Sequence, residues 1–420
     1  MKLLIGGSPC THWSIAQTKN RETEASGIGW ELFLNYRIAR DKYKPDYFLY
    51  ENNKSMSPAI RAQITAELGV EPVLINSALV SAQNRQRLYW VGKRNPDGTY
   101  SQVPVEQPED RGLLLRDILE TGIAWQEKSY CITATEYKGS NPQQTLSKHR
   151  RTMVAEPVRI GTIENDAKTQ AFDSQQYRVY SPDGKSVTLC GNGGGLGAKT
   201  GLYATPVDTD ADGILHLGSL YGQHSRWGVF AKDGKCPTIT ASMGMGGGHV
   251  PMVPTRTDEE GHCQKNPTTA KQIYEVRDGK ISIGNTWHPI KLRDGFYIIR
   301  KLTVRECMRL QTVPEEYVFP VSNSQAYKML GNGWTVDVIA HIMSHFDGLT
   351  TEPVEVLSMY DGMSCGHIAL DKLGATVATY YATEIDKYAV QTIQPNFPET
   401  IQLGDAFQVR DDDWRLGEEL

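Results

Sequence analysis

Short, continuously apolar runs recur near both ends of this chain, each closed by glycine or an acidic residue, and this limits the fold more than any other feature. Residues 2–5 (KLLI) end in Gly6-Gly7. Such a run, apolar without alternation, suits a strand buried on both faces. Residues 28–43 place Trp30, Phe33, Leu34 and Ile38 at helical spacing on one face. Residues 46–50, 73–75 and 88–92 read as strands, and 58–68 as a helix. Strands alternating with helices predict a parallel sheet with helices on its faces.

From about 99 to 295 the rhythm breaks into glycine, proline, serine and threonine, with turns such as Pro182-Asp183-Gly184. Three stretches resemble one another: KSYCITATEYKG from Lys128, KSVTLCGNGGGLGAKTG from Lys185 and KCPTITASMGMGGGH from Lys235. Each leads from lysine into a short β-prone segment. A β-rich second domain with a degenerate repeat is expected, its glycine loops letting backbone approach a ligand closely. After Arg300 the α/β rhythm returns, with helices over 304–311 and 335–346 and strands over 354–360, 376–382 and 400–403. The domains expected are therefore 1–98, 99–295 and 296–420.

The 420 residues are 39% hydrophobic and 22% charged, enough to bury a core. No apolar run approaches the ~18 residues of a membrane-spanning helix, and residues 1–10 do not resemble a secretion signal. The seven cysteines form no CxxC pair, which argues against a zinc ribbon or a disulfide framework and for a reducing, cytoplasmic setting. The net charge is −5, yet basic residues gather in 85–94, 148–151 and 291–309 while the C-terminal tail is acidic. A local basic patch suffices for a polyanion.

Two places carry chemistry. The strand at 354–360 runs into Tyr360-Asp361-Gly362-Met363-Ser364-Cys365-Gly366 and a helix. Strand, glycine turn and helix bring backbone N–H groups to a ligand. Glu384-Ile385 end the next strand, about 20 residues on, where ribose hydroxyls are held in such folds, and Asp405 ends the one after. At the other place, Cys10 follows strand, Gly6-Gly7-Ser8-Pro9; Glu51 ends a neighbouring strand; and Arg85 and Arg87 precede another, on one face by alternation. A thiol, a carboxyl group and guanidiniums at one sheet edge suit addition of a thiolate to C6 of cytosine. The nucleophilic C5 so formed accepts a methyl from the sulfonium of S-adenosylmethionine without a metal.

At these residues the chain resembles the C5-cytosine DNA methyltransferases, over nearly its whole length. GGSPC resembles the family's catalytic loop, implying Cys10 as nucleophile. ENN from Glu51 resembles ENV, implying that Glu51 meets the base N3 and amino group. QNRQR resembles QxRxR, implying Arg87 at the base O2 and Arg85 as support for the loop. RKLTVRECMRLQTVP from Arg300 matches the motif that organises the recognition domain. GNGWTVDVIAHI from Gly331 resembles the last motif, implying Asn332 and Trp334 near the cofactor. YDGMSCG resembles FxGxG, implying that Tyr360, Asp361, Gly362, Ser364, Cys365 and Gly366 hold S-adenosyl-L-methionine, with Glu384 and Ile385 at the ribose and Asp405 at the adenine amino group. No metal is implied.

The order departs from the family, whose cofactor loop comes first. Read from 354 to 420 and then from 1 to 346, the motifs fall into the usual sequence. A circular permutation with new ends between the third and fourth strands is the expectation. The fold expected is a Rossmann-like methyltransferase sheet, circularly permuted, with an inserted β-rich target recognition domain. Ser8, Asn53 and Tyr360 stand where proline, valine and phenylalanine are usual. The resemblance implies double-stranded DNA as partner, a flipped cytosine, a monomer without an obligate protein partner, and the cytoplasm of a bacterial or phage-infected cell. The loop over 11–27 is expected to close on the extruded base. Three other readings stand beside it: an RNA (tRNA) cytosine-5 methyltransferase, an inactive DNA binder, and a cysteine hydrolase using Cys10 and His12. The target sequence and any restriction partner are not legible.

Overall fold

The computed structural model describes residues 1–9, 13, 21–137, 142, 146, 151–157, 273–283, 286–292 and 295–410, and the backbone of short strands between 159 and 230. The chain divides into two compact units, one of residues 1–120, 126–152 and 301–420, the other of 121–125 and 153–300.

The first unit is built on strands β1 (Lys2–Gly6), β2 (Tyr47–Asn53), β3 (Pro72–Asn76), β4 (Gln86–Arg94), β5 (Tyr100–Gln102), β6 (Val354–Met359), β7 (Val377–Thr383) and β8 (Ile401–Gly404). They pair in the order β8-β7-β6-β1-β2-β4-β3, with β5 beside β4. The pairs from β8 through β2 are parallel. The expectation of a wholly parallel sheet needs correction, because β4 is antiparallel to both β2 and β3. The connection from β3 to β4 holds only a single short 3-10 turn, too little for the helical crossover that parallel strands require. The chain turns back and slots between β2 and β3. Leu3, Leu4 and Ile5 of β1 are fully buried, as their unbroken apolar run requires, while Lys2 at its start is exposed.

Helix α1 (Gly27–Tyr43) covers one face. Its buried side is Trp30, Phe33, Tyr36, Ala39 and Tyr43, while Leu34 and Ile38 pack only at the margin. The face expected from sequence is thus rotated toward the tyrosines. A buried tyrosine is tolerated where its hydroxyl finds a partner, and the Tyr36 hydroxyl donates to the Leu49 carbonyl at 2.9 Å. Helix α2 (Pro58–Leu68) starts at Ser57, whose hydroxyl accepts from the Ile60 N–H, and stops at Gly69 in the left-handed region.

After Arg300 the chain forms α3 (Val304–Leu310), α4 (Asn323–Asn332), α5 (Val336–Met343), α6 (Cys365–Leu373) and α7 (Lys387–Asn396). A capping box of Thr303 and Glu306 opens α3. Helix α4 has no counterpart in the sequence reading, since its stretch NSQAYKMLGN is largely polar and buries only Ala326, Tyr327, Met329, Leu330 and Gly331.

The second unit holds a five-stranded sheet in the order Thr286–Pro289, Lys280–Ile283, Ile273–Arg277, Gly295–Lys301, Met153–Pro157. The pairings among the first four of these strands are antiparallel. Of the three similar stretches, those from Lys185 and Lys235 lie outside the described residues. The one from Lys128 is not a strand. Ser129 makes one isolated bridge, its N–H donating to the Ala82 carbonyl at 2.6 Å. Beyond it side chains take part: the Tyr130 N–H donates to Thr152 Oγ1 at 2.8 Å and the Ile132 N–H to Gln83 Oε1 at 2.8 Å.

Candidate active site

One row of residues crosses the carboxyl edge of the parallel strands. Gly6 of β1 stands in register with Met359 of β6 and with Tyr50 of β2. Met359 is in register with Thr383 of β7, and Thr383 with Gly404 of β8. The next residue after each is, in turn, Gly7, Tyr360, Glu51, Glu384 and Asp405. Neighbouring strands lie about 4.8 Å apart, so the loops leaving β1 and β6 begin about one strand spacing from each other. Active sites of open α/β sheets form at this edge.

On the β6 side, Tyr360, Gly362 and Ser364 all have positive φ, which coils the loop tightly before α6. Asp361 points inward: its carboxylate accepts from Ser358 Oγ, Ser364 Oγ and Tyr380 Oη. Burial raises its pKa, and those hydroxyls oppose the rise. The Tyr360 hydroxyl donates to the Leu32 carbonyl of α1 at 2.6 Å. Gly366 is where helix meets sheet, since a Cβ there would come within 2.2 Å of Ile5 Cδ1. Glu384 takes the Gly362 N–H at 2.8 Å and the N–H groups of Ile385 and Asp386 at 2.8 and 2.7 Å. Burial raises its pKa too. Ile385, 75% exposed, offers an apolar side chain to solvent. Asp405, exposed, accepts the Phe407 N–H at 3.0 Å. Burial pushes the Cys365 thiol up to about 12. A Cβ on Gly362 would meet nothing within 4 Å, so open space lies over the loop glycine. Space above a coiled loop, an apolar side chain and two carboxylates fit an adenosine: a base to cover, hydroxyls and an amino group to accept from.

On the β1–β2 side, Glu51 is 9% exposed and lies inside β2, which runs three residues beyond its expected end because β4 pairs with it as far as Arg87. Its two oxygens are held separately, Oε1 by Arg87 Nε at 3.0 Å and Oε2 by the Trp334 indole N–H at 3.0 Å. Arg85 is buried and donates to the carbonyls of Ile132, Gly331 and Gly333 at 3.1, 3.3 and 2.8 Å. Asn332 is exposed at the end of α4. Ser8, in place of the usual proline, shares a hydrogen bond with the Tyr50 hydroxyl at 2.6 Å. Asn53 turns away from Glu51 toward Ser55 and Asn52. Cys10 and residues 11, 12 and 14–20 of the loop expected to close lie outside the described residues.

A further thiol that sequence reasoning passed over stands here. Cys131 Sγ lies 3.3 Å from Arg85 Nη1 and 3.7 Å from Arg87 Nη2. Burial pushes its pKa up, but the two guanidiniums outweigh that and leave it below the ordinary thiol value. Nothing in KSYCITATEYKG marks it; only the fold brings residue 131 to residues 85 and 87.

An α/β sheet with a coiled strand–turn–helix loop beside a carboxylate–arginine–tryptophan cluster defines an enzyme that sets a nucleotide-like cofactor against a second substrate. The family model of the C-5 cytosine-specific DNA methylases matches residues 1–347, and the chain belongs to that family. It is similar to the orphan methyltransferase M.Rho11sI of Bacillus phage rho11s, 28% identical over 437 residues, covering 81% of this chain and 83% of that protein. To the type II methyltransferase M.HpaII of Haemophilus parainfluenzae it is 54% identical over 349 residues, covering 80% of this chain and 69% of that protein. To M.SPRI of Bacillus phage SPR it is 26% identical over 375 residues, covering 81% of each. The protein is a DNA (cytosine-5-)-methyltransferase. Membership implies DNA as substrate and S-adenosylmethionine as methyl donor. Among the described residues no helix is long and apolar enough to cross a membrane.

Proposed function

We propose that this enzyme methylates C5 of a cytosine extruded from duplex DNA, with Cys10 as the nucleophile that adds to C6. After the methyl has moved to C5 and S-adenosylhomocysteine is left, the C5 proton is lost to water and the C6–S bond breaks, restoring the ring and the thiolate. The observation that carries the reading is the row of residues Gly404, Thr383, Met359, Gly6 and Tyr50, which starts both loops from adjacent strands at one level. Glu51 is the group for N3 and the exocyclic amine, and Arg87, on its other oxygen, is the cation for O2. A proton at N3 and a guanidinium N–H donated to O2 withdraw electrons from the ring and so favour the adduct, while the Glu51 carboxylate accepts from the N3 proton and the exocyclic amine. Arg85 supports them by tying down the 331–333 backbone. S-adenosyl-L-methionine, when bound, supplies an electrophilic sulfonium methyl. Tyr360, Gly362, Ser364, Cys365 and Gly366 shape its loop. Glu384 takes the ribose hydroxyls, Ile385 covers the adenine, Asp405 accepts from its amino group, and Asn332 borders the site. Asp361 acts from beneath by fixing the loop.

Extrusion of the base costs a few kcal/mol, which contacts to the flanking duplex must offset. The region 99–295 is the part for phosphate contacts and base-edge readout. The enzyme acts as a monomer in bacterial or phage-infected cytoplasm, on DNA alone.

We also read the chain as circularly permuted. Counted from β6, the sheet order becomes 3-2-1-4-5 with a β4–β3 pair at the far edge, which is the doubly wound order from its first strand on. The family match stops at residue 347, short of β6. A gene that starts near residue 350 and joins residue 420 to residue 1 through a flexible linker should still give active enzyme.

Transfer of tritiated methyl groups to duplex DNA but not to tRNA is the expected result. Cys10→Ser should abolish transfer while leaving S-adenosylhomocysteine binding within about twofold, because only nucleophilicity changes. Full turnover by that variant would overturn the nucleophile assignment.

A further inference from the structure

The resemblance assigns Trp334 to the cofactor, but its indole N–H points to the catalytic side and donates to Glu51 Oε2 at 3.0 Å. The opposite oxygen is taken by Arg87. The carboxylate is thus clamped between a guanidinium carried by β4 and an indole carried by the turn between α4 and α5. The backbone that carries the indole is itself fixed on three sides. Arg85 donates to the carbonyls of Gly331 and Gly333. Gln311 Nε2 donates to the carbonyls of Leu330 and Gly333 at 2.7 and 3.0 Å. A Cβ on Gly333 would come within 3.1 Å of Cys365 Sγ and 3.5 Å of Met363 Sδ, so this turn rests directly on the loop between β6 and α6. On the catalytic side, a Cβ on Gly7 would lie 2.9 Å from the Glu51 carbonyl oxygen, 3.0 Å from Glu51 Oε2 and 3.5 Å from Trp334 Nε1. The loop leading to Cys10 therefore leans on the same bond.

From this we infer that Trp334 is a positioning residue for Glu51, linking the cofactor loop to the carboxylate that holds the cytosine. The turn at 331–334 is a strut: one face rests on Met363 and Cys365, and the indole N–H fixes the direction of Glu51. A cofactor that settles the loop then settles the carboxylate, with no contact between Trp334 and the base required. The inference rests on the reading of Glu51 as the base-holding group.

The test is a double-mutant cycle in the full-length enzyme, with Trp334→Phe, Glu51→Gln and the pair. Single-turnover methyl transfer to unmethylated genomic DNA is measured at saturating cofactor, and S-adenosylhomocysteine affinity by calorimetry. Trp334→Phe should slow transfer about 10- to 100-fold, the range spanned by a hydrogen bond to a charged group. Its S-adenosylhomocysteine affinity should stay within about threefold of wild type, and in the Glu51→Gln background the same change should alter the rate by less than about threefold. An equal loss in both backgrounds, or a loss that excess cofactor restores, overturns the inference. Wild-type turnover by Glu51→Gln alone overturns the reading of Glu51 itself, a result a failed cycle does not give. Gly7→Ala supplies a second route, since its methyl presses on the same bond from the opposite side. It should lower the rate at unchanged cofactor affinity and combine with Trp334→Phe less than multiplicatively. Fully multiplicative losses overturn the link.

Discussion

Replacing Gly6 by alanine strikes the point at which the two loops diverge. A Cβ on Gly6 would stand 2.7 Å from the Met359 carbonyl oxygen, 3.0 Å from Met359 Cβ and 3.0 Å from Tyr36 Cδ2. The first of these is backbone in a fully buried part of the sheet, so no side-chain rotation relieves it. To reach ordinary contact, β1 and β6 must part by about 0.7 Å at this level, and overpacking of this kind costs about 1–3 kcal/mol, the upper end applying where backbone is the obstacle. The same movement separates the loop toward Cys10 from the loop at Tyr360. A misplacement of about 1 Å costs about 100-fold in rate, so about 0.7 Å predicts a fall of about 25-fold. Gly69→Ala is the control: its φ is left-handed, at 75°, unlike that of Gly6, but a Cβ there meets nothing within 4 Å, so only local strain of about 1–2 kcal/mol is added. Urea unfolding followed by circular dichroism, alongside methyl transfer at saturating cofactor and DNA, reads both effects. If Gly6→Ala keeps full turnover and unfolds no earlier than Gly69→Ala, the strand-end spacing does not govern the reaction.

Other substitutions separate the remaining parts. Asp405→Ala should weaken S-adenosylhomocysteine binding about 10-fold by calorimetry, with DNA affinity in a gel-shift assay unchanged. Arg85→Lys replaces a planar fork bonded to the carbonyls of Ile132, Gly331 and Gly333 by a single ammonium. It should cost about 2 kcal/mol of stability and slow transfer, both measurable on the purified variant. His367, 3% exposed and stacked between Tyr380 and Phe397, has its pKa lowered by burial from 6.5 to about 4, against the raising effect of Glu399. A depressed histidine contributes stability that is present above pH 6.5 and is lost as pH falls from there toward 4, because the unfolded chain takes up the proton first; the whole effect is at most about 3 kcal/mol. His367→Phe should flatten the urea midpoint between pH 6.5 and 4.5, and an unchanged slope would refute this.

Much of the molecule could be read along the chain. The runs at 2–5, 73–75 and 354–360 became strands, and 58–68 is a helix to the residue. The strands at 2–5 and 354–360 are parallel and buried, which demands apolar side chains on both faces and so prints them on the sequence. In contrast, 73–75 is an antiparallel strand with Leu74 exposed, legible only as a β-branched apolar run. The antiparallel course of β4 did not, because strand direction is decided by the pairing partner and leaves no mark on side-chain alternation. Helix α4 escaped notice since only half of it is buried.

The site divides the same way. The motifs Glu51-Asn52-Asn53, QNRQR and YDGMSCG resemble the family closely enough for the chemistry to be legible in the chain, and membership implies the donor. What sequence could not supply were the meetings between distant segments. Trp334 comes to Glu51, Cys131 to Arg85 and Arg87, and Asp361 turns to Ser358 and Tyr380. The Asp361 contacts depend on which strands lie side by side, and those of Trp334 and Cys131 on how the 331–334 turn and the stretch around 131 are tied down by distant side chains such as Gln311, Arg85 and Gln83.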